Sequence, residues 1–395
     1  MDTSNNRLIA GRMAASPFIR GALYYSSYWG CIGIIDPYLN VYFTHLGIKG
    51  AQIGVISSLF PLMNLVYAPF ITSLADQKAW RVRILALCCF GLSFAYIFLG
   101  FSFEFWGILI FTLIVALLRS PIASLGDSII ARFGIRYGTD YGKMRLWGSI
   151  VYAFTTIGAG YLWGQVGMRW MFFVAGICFL IVVVSALLLE EEGPVVHQSR
   201  GPWKLLQHDK VLLALFVATV FLGASLPLGG AFGGMYMEYL GGGELMIGLL
   251  VGLGALSEAP MMHIGNTLMK RMGGMQALFL SYGLLAAGLF GSMLAWSPWV
   301  LLIMGVIKGF GFGLFFVSTV VIFDRHAPDN WSASIQAMVN AGALGFAPFI
   351  SLFVGGLIYD VWRPGVYACS VVLIILAMIA LLFAIRWEKQ IVISS

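Results

Sequence analysis

Long apolar runs recur along this chain from end to end, and their length constrains the fold more than any other feature. They reach about 18 to 25 residues, whereas a helix in a soluble core needs an apolar run of only about 10 to 14. An apolar helix of about 20 residues crosses the ~30 Å hydrocarbon layer of a bilayer. The runs are continuous and do not alternate with a period of two, which excludes a transmembrane barrel.

The composition supports this interpretation. Hydrophobic residues make up 60% of the chain and charged residues 10%, whereas a soluble domain carries about 25% charged residues. We therefore expect an all-α membrane protein, surrounded by the lipid bilayer, with twelve transmembrane helices. The predicted spans lie near residues 20–45, 51–74, 83–101, 106–131, 146–166, 170–189, 211–238, 245–268, 275–295, 298–323, 332–358 and 366–386.

The distribution of Lys and Arg predicts the orientation. An even number of spans places both termini on one side, and 18 of the 23 Lys and Arg residues fall on that side. The opposite side carries only Lys49, Arg169 and Arg363. We expect both termini to be cytoplasmic in a protein of the cytoplasmic (inner) membrane. This bias also accounts for the net charge of +6, so we expect no nucleic-acid partner.

The chain divides into two similar halves. Its longest polar segment follows the sixth span, which predicts a first six-helix bundle over 1–190, a cytoplasmic linker over 191–209 and a second bundle over 210–395. The segment from Tyr42 aligns without a gap with the segment from Tyr236. Matches in this alignment include Leu46/Leu240, Gly47/Gly241 and Gly54/Gly248. We expect two pseudo-symmetric six-helix bundles.

Several motifs carry a resemblance to the major facilitator superfamily. The segment "SLADQKAWRVR" after span 2 resembles the cytoplasmic loop signature of these transporters, which implies a gating role for Asp76, Arg81 and Arg83. Residues 127–153 resemble the helix 4 to helix 5 region of the group that contains the lactose permease, the nucleoside:proton symporter and the phenylpropionate permease. The segment "SEAPMM" is most similar to the phenylpropionate permease type.

The resemblance implies the major facilitator fold, with substrate bound at the midplane between two bundles that rock in alternating access. In the lactose permease, an acid on helix 4 and an arginine on helix 5 hold the sugar, and Asp127 and Arg145 occupy the matching positions here. They could instead form a cytoplasmic gate pair. Span 9 has no arginine, and span 10 lacks the histidine and acid of the lactose permease. Its sugar specificity and proton relay are therefore not carried over.

Five charged residues fall inside predicted spans: Asp36, Arg119, Asp127, Glu258 and Lys308. Each costs about 2.5 to 3.5 kcal/mol at a helix centre, so such residues face a cavity or a partner. Glu258 and Lys308 lie at similar depth in spans 8 and 10, and we expect them to form a buried pair. The pair could act as a proton switch, with Lys308 engaging the substrate, or it could be a permanent pair that only fixes helix packing.

The remaining candidates keep two alternatives each. Asp36 either accepts the coupling proton or pairs with Arg119. Gln336 and Asn340 are four residues apart and share a helix face, where they contact either a polar substrate or another helix. Tyr28 either stacks on a ring-bearing substrate or packs in the core.

These features predict a transporter and no enzyme, because no acid, base and nucleophile cluster recurs at helical spacing. We expect proton-coupled symport of a small organic solute such as an aromatic acid, a nucleoside or a sugar, by a monomer without cofactor or metal. The alternative is a proton-driven exporter of drugs or metabolites. Against export, the fifth span has glycines but no proline, unlike the antiporter signature.

Overall fold

The computed structural model describes residues 16–191, 193, 209–326 and 338–394, and all regular structure in this part is helical. The helices are α1 Pro17–His45, α2 Gly50–Lys78, α3 Arg81–Leu99, α4 Phe105–Tyr137, α5 Tyr141–Val166, α6 Trp170–Leu187, α7 Lys210–Tyr239, α8 Glu244–Met272, α9 Gly274–Met293, α10 Pro298–His326, α11 Met338–Val361 and α12 Gly365–Ser394. A π-helical stretch, Ala341–Phe346, interrupts α11. The predicted twelve helices are confirmed.

Ten of these helices are long and apolar enough to cross a membrane. The other two are α1 and α5, whose polar side chains face the cavity described below. Several helices run past their expected ends, and the largest extensions are those of α4 to Tyr137 and α12 to Ser394. The apolar run ends at the edge of the hydrocarbon layer, but the hydrogen-bonded backbone continues as helix beyond it.

Polar side chains define several helix starts. The Ser16 hydroxyl accepts from the Ile19 amide at the start of α1, and the Asp140 carboxylate accepts from the Lys143 amide at the start of α5. The Asp209 carboxylate accepts from two amides at the start of α7, at 2.8 and 3.0 Å. These side chains satisfy amide groups that have no partner within the helix.

The helices pack in two groups with the same internal arrangement. In the first group α1 contacts α5, α2 contacts α4, and α3 contacts α6; the corresponding contacts of the second group are α7 with α11, α8 with α10, and α9 with α12. Between the groups, α1 contacts α7, α2 contacts α11 and α5 contacts α8. Exchanging the groups maps these contacts onto one another, as a two-fold axis through the interface requires.

The internal repeat predicted from the sequence is confirmed at the turn after α1 and the turn after α7. Leu46 and Leu240 are the C-cap residues of the two helices, and the next residues, Gly47 and Gly241, have φ angles of +80° and +89°. A residue with a Cβ adopts such a left-handed conformation only at a cost, so glycine fits both copies.

The repeated glycines Gly54 and Gly248 sit at equivalent places in the interface. A Cβ on Gly54 would lie 2.8 Å from the Cα of Gly356 on α11, and a Cβ on Gly248 would lie 2.6 Å from the Thr156 carbonyl oxygen on α5. The missing side chains let α2 approach α11 and α8 approach α5 at the end of the molecule where α1 ends and α2 begins, here called the α1–α2 end.

Most of the expected linker, 191–209, lies outside the described residues, which lack 192 and 194–208. The division into 1–190, 191–209 and 210–395 therefore stays a proposal. The two-fold pattern of helix contacts supports it.

Candidate functional site

A cavity lies between the two groups of helices and has two adjoining compartments. The first compartment has a volume of about 470 Å³ and is lined mainly by α1, α2, α4, α5 and α7. The second has a volume of about 270 Å³ and lies mainly among α7, α8, α9 and α10. Pro37, Tyr152, Gly230 and Val251 line both compartments, so the two adjoin across the interface.

Asp36 and Arg119 meet in the first compartment. The Arg119 guanidinium donates two hydrogen bonds to the Asp36 carboxylate, at 2.8 and 2.6 Å. The Phe60 ring lies 5.3 Å from the same guanidinium. This planar two-point contact is the strong geometry for an arginine and a carboxylate. Of the two alternatives for Asp36, the structure contains the pair.

Glu258 and Lys308 both line the second compartment, but the expected direct pair between them is not formed. Among the described residues, neither side chain has a hydrogen-bond or ion-pair partner. The cause lies in the close packing of α8 against α10, in which Gly313 rests on the Glu258 backbone. Lys308 is five residues before Gly313, about 7.5 Å along the helix axis, so it lies at a different depth from Glu258.

Lys308 is also turned away from α8. Its ammonium lies 3.4 Å from the position that a Cβ on Gly229 of α7 would take, and 5.9 Å from the ring centre of Tyr367 on α12. The compartment therefore holds a carboxylate and an ammonium that share a space without touching. Two uncompensated charges at membrane depth are costly, which makes both functional candidates.

Asp127 and Arg145 come together as the resemblance implied, outside both compartments. Their side chains approach to 3.7 Å, and the Tyr25 hydroxyl donates to Asp127 at 2.6 Å. Arg145 also lies 5.4 Å from the Phe316 ring of α10, in the other group of helices. The Asp127 and Arg145 side chains are 40% and 37% exposed, so water reaches this pair. The position fits either a substrate contact or a gate pair.

The end of α2 and the start of α3 hold a compact ion network. Arg81 is 1% exposed, and its guanidinium binds the Asp76 carboxylate. The Glu191 carboxylate accepts from the Arg81 and Val82 amides at 3.2 and 2.8 Å, which caps α3. Glu191 was missed by the sequence analysis because it lies more than 100 residues away. Arg83 is exposed and forms no ion pair within the described ranges.

The other predicted residues are placed differently. Tyr28 is 4% exposed, lines the first compartment and stacks parallel to Tyr24 at 6.2 Å between ring centres. Asn340 is exposed and lines neither compartment, and Gln336 lies outside the described residues. In the part of the chain that is described, no three His, Cys, Asp or Glu side chains come together as a metal site.

Two uncharged residues in the cavity were missed by the sequence analysis. Tyr152 lines both compartments, between the Asp36–Arg119 pair and Glu258. The Asn40 amide group donates to the Ser57 hydroxyl at 3.0 Å and to the Ala231 carbonyl at 2.9 Å, which joins α1, α2 and α7. Neither carries a charge, so neither stood out from a sequence rich in Tyr and small polar residues.

The cavity is closed at the α1–α2 end by contacts between the groups. The Asp360 carboxylate at the end of α11 accepts from the Gly50 and Ala51 amides at the start of α2, at 2.7 and 2.8 Å. His45 at the end of α1 bonds Glu238 near the end of α7. Together with the glycine contacts of Gly54 and Gly248, these bonds block the passage at one end.

Two groups of six helices related by a two-fold pattern, with a charged cavity between them closed at one end, define a multi-pass membrane transporter of the major facilitator type. The sequence matches the MFS_1 like family over residues 18–387. The chain belongs to this family.

The relatives are transporters with different names. The chain is 27% identical to the maltose permease of Geobacillus stearothermophilus, over 93% of this chain and 94% of that protein. It is 27% identical to the probable 3-phenylpropionic acid transporter of Escherichia coli, over 88% and 92%. The chain is 24% identical to the multidrug resistance protein MdtG of a Rahnella strain, over 58% of this chain and 60% of that protein. A mutant of the nucleoside transporter NupG shares the fold, with a TM-score of 0.80 and 17% identity over 93% and 100%.

Proposed function

We propose that this protein takes up a small organic solute together with a proton, by alternating access of the central cavity to the two sides of the membrane. The observation that carries the proposal is the second compartment, where Glu258 and Lys308 share a space and lack partners among the described residues. A carboxylate without a partner can accept a proton, and an ammonium without a partner can bind a polar or anionic solute.

The coupling follows from the charges left in the cavity when it closes. With proton on Glu258 and solute on Lys308, both charges are compensated. In the empty carrier the carboxylate and the ammonium, which share one compartment, leave no net charge in it. A carrier that holds only one of its two ligands leaves one charge exposed to the apolar interior, at about 2.5 to 3.5 kcal/mol. That penalty disfavours half-loaded closure by a factor of about 60 to 300.

The first compartment supplies a fixed polar wall. Asp36 and Arg119 neutralise each other, so the pair is available to hydrogen-bond hydroxyl or carbonyl groups of a solute without adding net charge. Tyr28 offers an aromatic surface beside it. We propose Asp127 and Arg145 as a further substrate contact or gate on the exposed side of the cavity, and Asp76, Arg81 and Arg83 as the gating loop.

The orientation is part of the same proposal. Lys and Arg are in excess on the side of the membrane that carries both termini and the expected linker, which supports a cytoplasmic location for that side. The bacterial relatives support the inner membrane as the location of the protein. With this orientation, the closed α1–α2 end faces the outside of the cell. We propose a monomer, since each chain contains a complete cavity.

Export driven by protons is the second candidate, and the match to MdtG favours it. The same cavity and the same proton site would serve either direction. The two differ in whether solute and proton move in the same direction or in opposite directions.

Proteoliposomes with an imposed pH gradient test the proposal. The solutes are an aromatic acid, a nucleoside and a disaccharide, supplied one at a time to wild type, Glu258→Gln and the control Glu104→Gln, which changes an exposed acid between α3 and α4. We expect one solute to accumulate on the alkaline side in wild type and control, and no accumulation in Glu258→Gln. Solute expelled toward the acidic side would establish export, and accumulation by Glu258→Gln would refute the role of this acid.

A further inference from the structure

One buried hydroxyl beside the second compartment lacks a hydrogen bond. The Tyr367 hydroxyl has no partner among the described residues, and the residue is 0% exposed. Its ring packs against Tyr236, with 5.2 Å between ring centres. A buried hydroxyl is normally hydrogen-bonded, because burying it unpaired is unfavourable. A group that is absent from the protein itself is therefore expected to meet it.

The hydroxyl and the Lys308 ammonium flank one bare stretch of α7. The hydroxyl lies 3.4 Å from where a Cβ on Gly233 would be, and the ammonium lies 3.4 Å from where a Cβ on Gly229 would be. Gly229 and Gly233 are four residues apart and both line the second compartment. The backbone thus forms a strip without side chains of its own, with one donor group near each glycine. The edge of the Tyr367 ring and a Leu289 methyl border it, 3.4 and 3.6 Å from the Cβ position of Gly229.

We propose that this strip binds the carboxylate of the solute, with the Lys308 ammonium and the Tyr367 hydroxyl as donors, and that the transported solute is a small monocarboxylate with an apolar body. The inference rests on the proposed function and names the solute class for the same cavity. A carboxylate has two oxygens and one negative charge, which match one hydroxyl donor and one ammonium. Phe312, Leu285 and Leu289 line the compartment and would enclose the apolar body.

Other classes of solute fit the compartment less well. A neutral sugar or nucleoside would leave the ammonium charge uncompensated. A dianion such as a phosphate monoester would bring one negative charge more than Lys308 can compensate, close to the Glu258 carboxylate in the same compartment. A monoanion compensates Lys308 fully, and Glu258 is then neutralised by the coupling proton.

The test measures binding to purified full-length protein by calorimetry. The probes are benzoate, phenylacetate and 3-phenylpropionate, each paired with its amide, which keeps the shape and removes the charge. The variants are Lys308→Met, Lys308→Arg and Tyr367→Phe. Tyr282→Phe is the matched control, because the Tyr282 hydroxyl is also buried without a described partner but is not among the atoms that lie nearest Gly229 and Gly233. Monodisperse elution establishes that each variant is folded.

We expect at least one carboxylate to bind wild type and its amide to bind more weakly by a factor of ten or more. Lys308→Met and Tyr367→Phe should each weaken carboxylate binding by about tenfold or more, since hydrogen bonds to charged groups have this strength. Lys308→Arg should retain part of the affinity, and Tyr282→Phe should match wild type.

Equal binding of acid and amide, or wild-type carboxylate affinity in Lys308→Met, would overturn the inference. So would proton-coupled uptake of a disaccharide or nucleoside with no carboxylate bound, although the proposed symport would then stand. Carboxylate binding that depends on Lys308 and Tyr367, without any coupled proton movement, would support the site and refute the proposed symport.

Discussion

Replacing Asp360 with alanine should loosen the closed α1–α2 end. This carboxylate is the hydrogen-bond acceptor for the first two amides of α2, while the residue itself belongs to α11 in the other group of helices. Opening that end requires both bonds to break. The two bonds therefore stabilise the closed state and have no equivalent when the groups separate.

The size of the effect follows from the geometry. A negative side chain at a partly buried helix start contributes up to about 2 kcal/mol, and the exposed α2 amides recover part of their bonding from water when the end opens. A loss of about 2 kcal/mol shifts the balance between closed and open states about thirtyfold. Asp360→Asn should have a smaller effect, because its amide oxygen accepts without a negative charge.

Hydrogen–deuterium exchange on the peptide that contains Gly50 and Ala51 measures this opening. We expect exchange to accelerate by about thirtyfold in Asp360→Ala, in step with the shift in the opening equilibrium. Asp209→Ala is the matched control, since Asp209 also caps two amides but within its own helix, α7. An unchanged exchange rate in Asp360→Ala, or an equal acceleration at α2 in the control, would refute the assignment of Asp360 as a latch between the groups.

Three further predictions concern closure, the polar wall and pH. In Gly248→Val, the new side chain meets the Thr156 carbonyl oxygen, which lies only 2.6 Å from the Cβ position, so the α1–α2 end should not close fully. Solute exchange in proteoliposomes should then fall at least about tenfold. The control Gly283→Val has open space around its Cβ position and should leave solute exchange unchanged. In a double-mutant cycle of Asp36→Asn and Arg119→Gln, unfolding in detergent should show a coupling of about 1 to 3 kcal/mol, and additive losses would contradict a stabilising pair. The Tyr137 hydroxyl and Arg20 hydrogen-bond the Glu190 carboxylate and hold its pKa below the usual value of 4.5. Its contribution, about 1 kcal/mol or less for so exposed a group, is fully present above about pH 4.5 and is lost as the pH falls through the lowered pKa. The thermal stabilities of wild type and Glu190→Gln should therefore differ at pH 7 and converge on acidification, and a constant gap would contradict this.

The fold could be predicted from the sequence because its determinants are local. Each span is a run of apolar residues, and the repeat preserves glycines at the same offset after Tyr42 and Tyr236. Gly47 and Gly241 then adopt the same left-handed turn, and Gly54 and Gly248 make equivalent close approaches. Helix ends were predicted less well, because hydropathy marks the edge of the bilayer while the helix continues through polar turns such as the end of α4 at Tyr137.

The charged candidates could be found from the sequence, but their pairing could not. A charged residue inside an apolar run is recognisable in the sequence itself, and this criterion identified Asp36, Arg119, Glu258 and Lys308. Whether two charges meet depends on helix rotation and register. Asp36 reaches Arg119, whereas the glycine-mediated packing of α8 on α10 sets Glu258 and Lys308 at different depths.

Residues whose role depends on contacts with sequence-distant neighbours could not be predicted from the sequence. Asp360 looks like an ordinary acid at a helix end, and only the fold brings it to the start of α2. Tyr367 looks like an ordinary membrane aromatic, and only the packed structure reveals that its hydroxyl has no hydrogen-bond partner in the described part of the chain. Neither carries a local pattern that would single it out.

Proton movement during solute addition tests the central claim, that Glu258 carries the coupling proton, most directly. Proteoliposomes with an external pH indicator receive the solute that wild type accumulates, and exchange of labelled solute is followed in parallel for wild type and Glu258→Gln. The account predicts external alkalinisation with wild type, and no proton movement but continued solute exchange with Glu258→Gln. Alkalinisation by Glu258→Gln at the wild-type rate, or solute entry into wild-type liposomes without any proton movement, would contradict it.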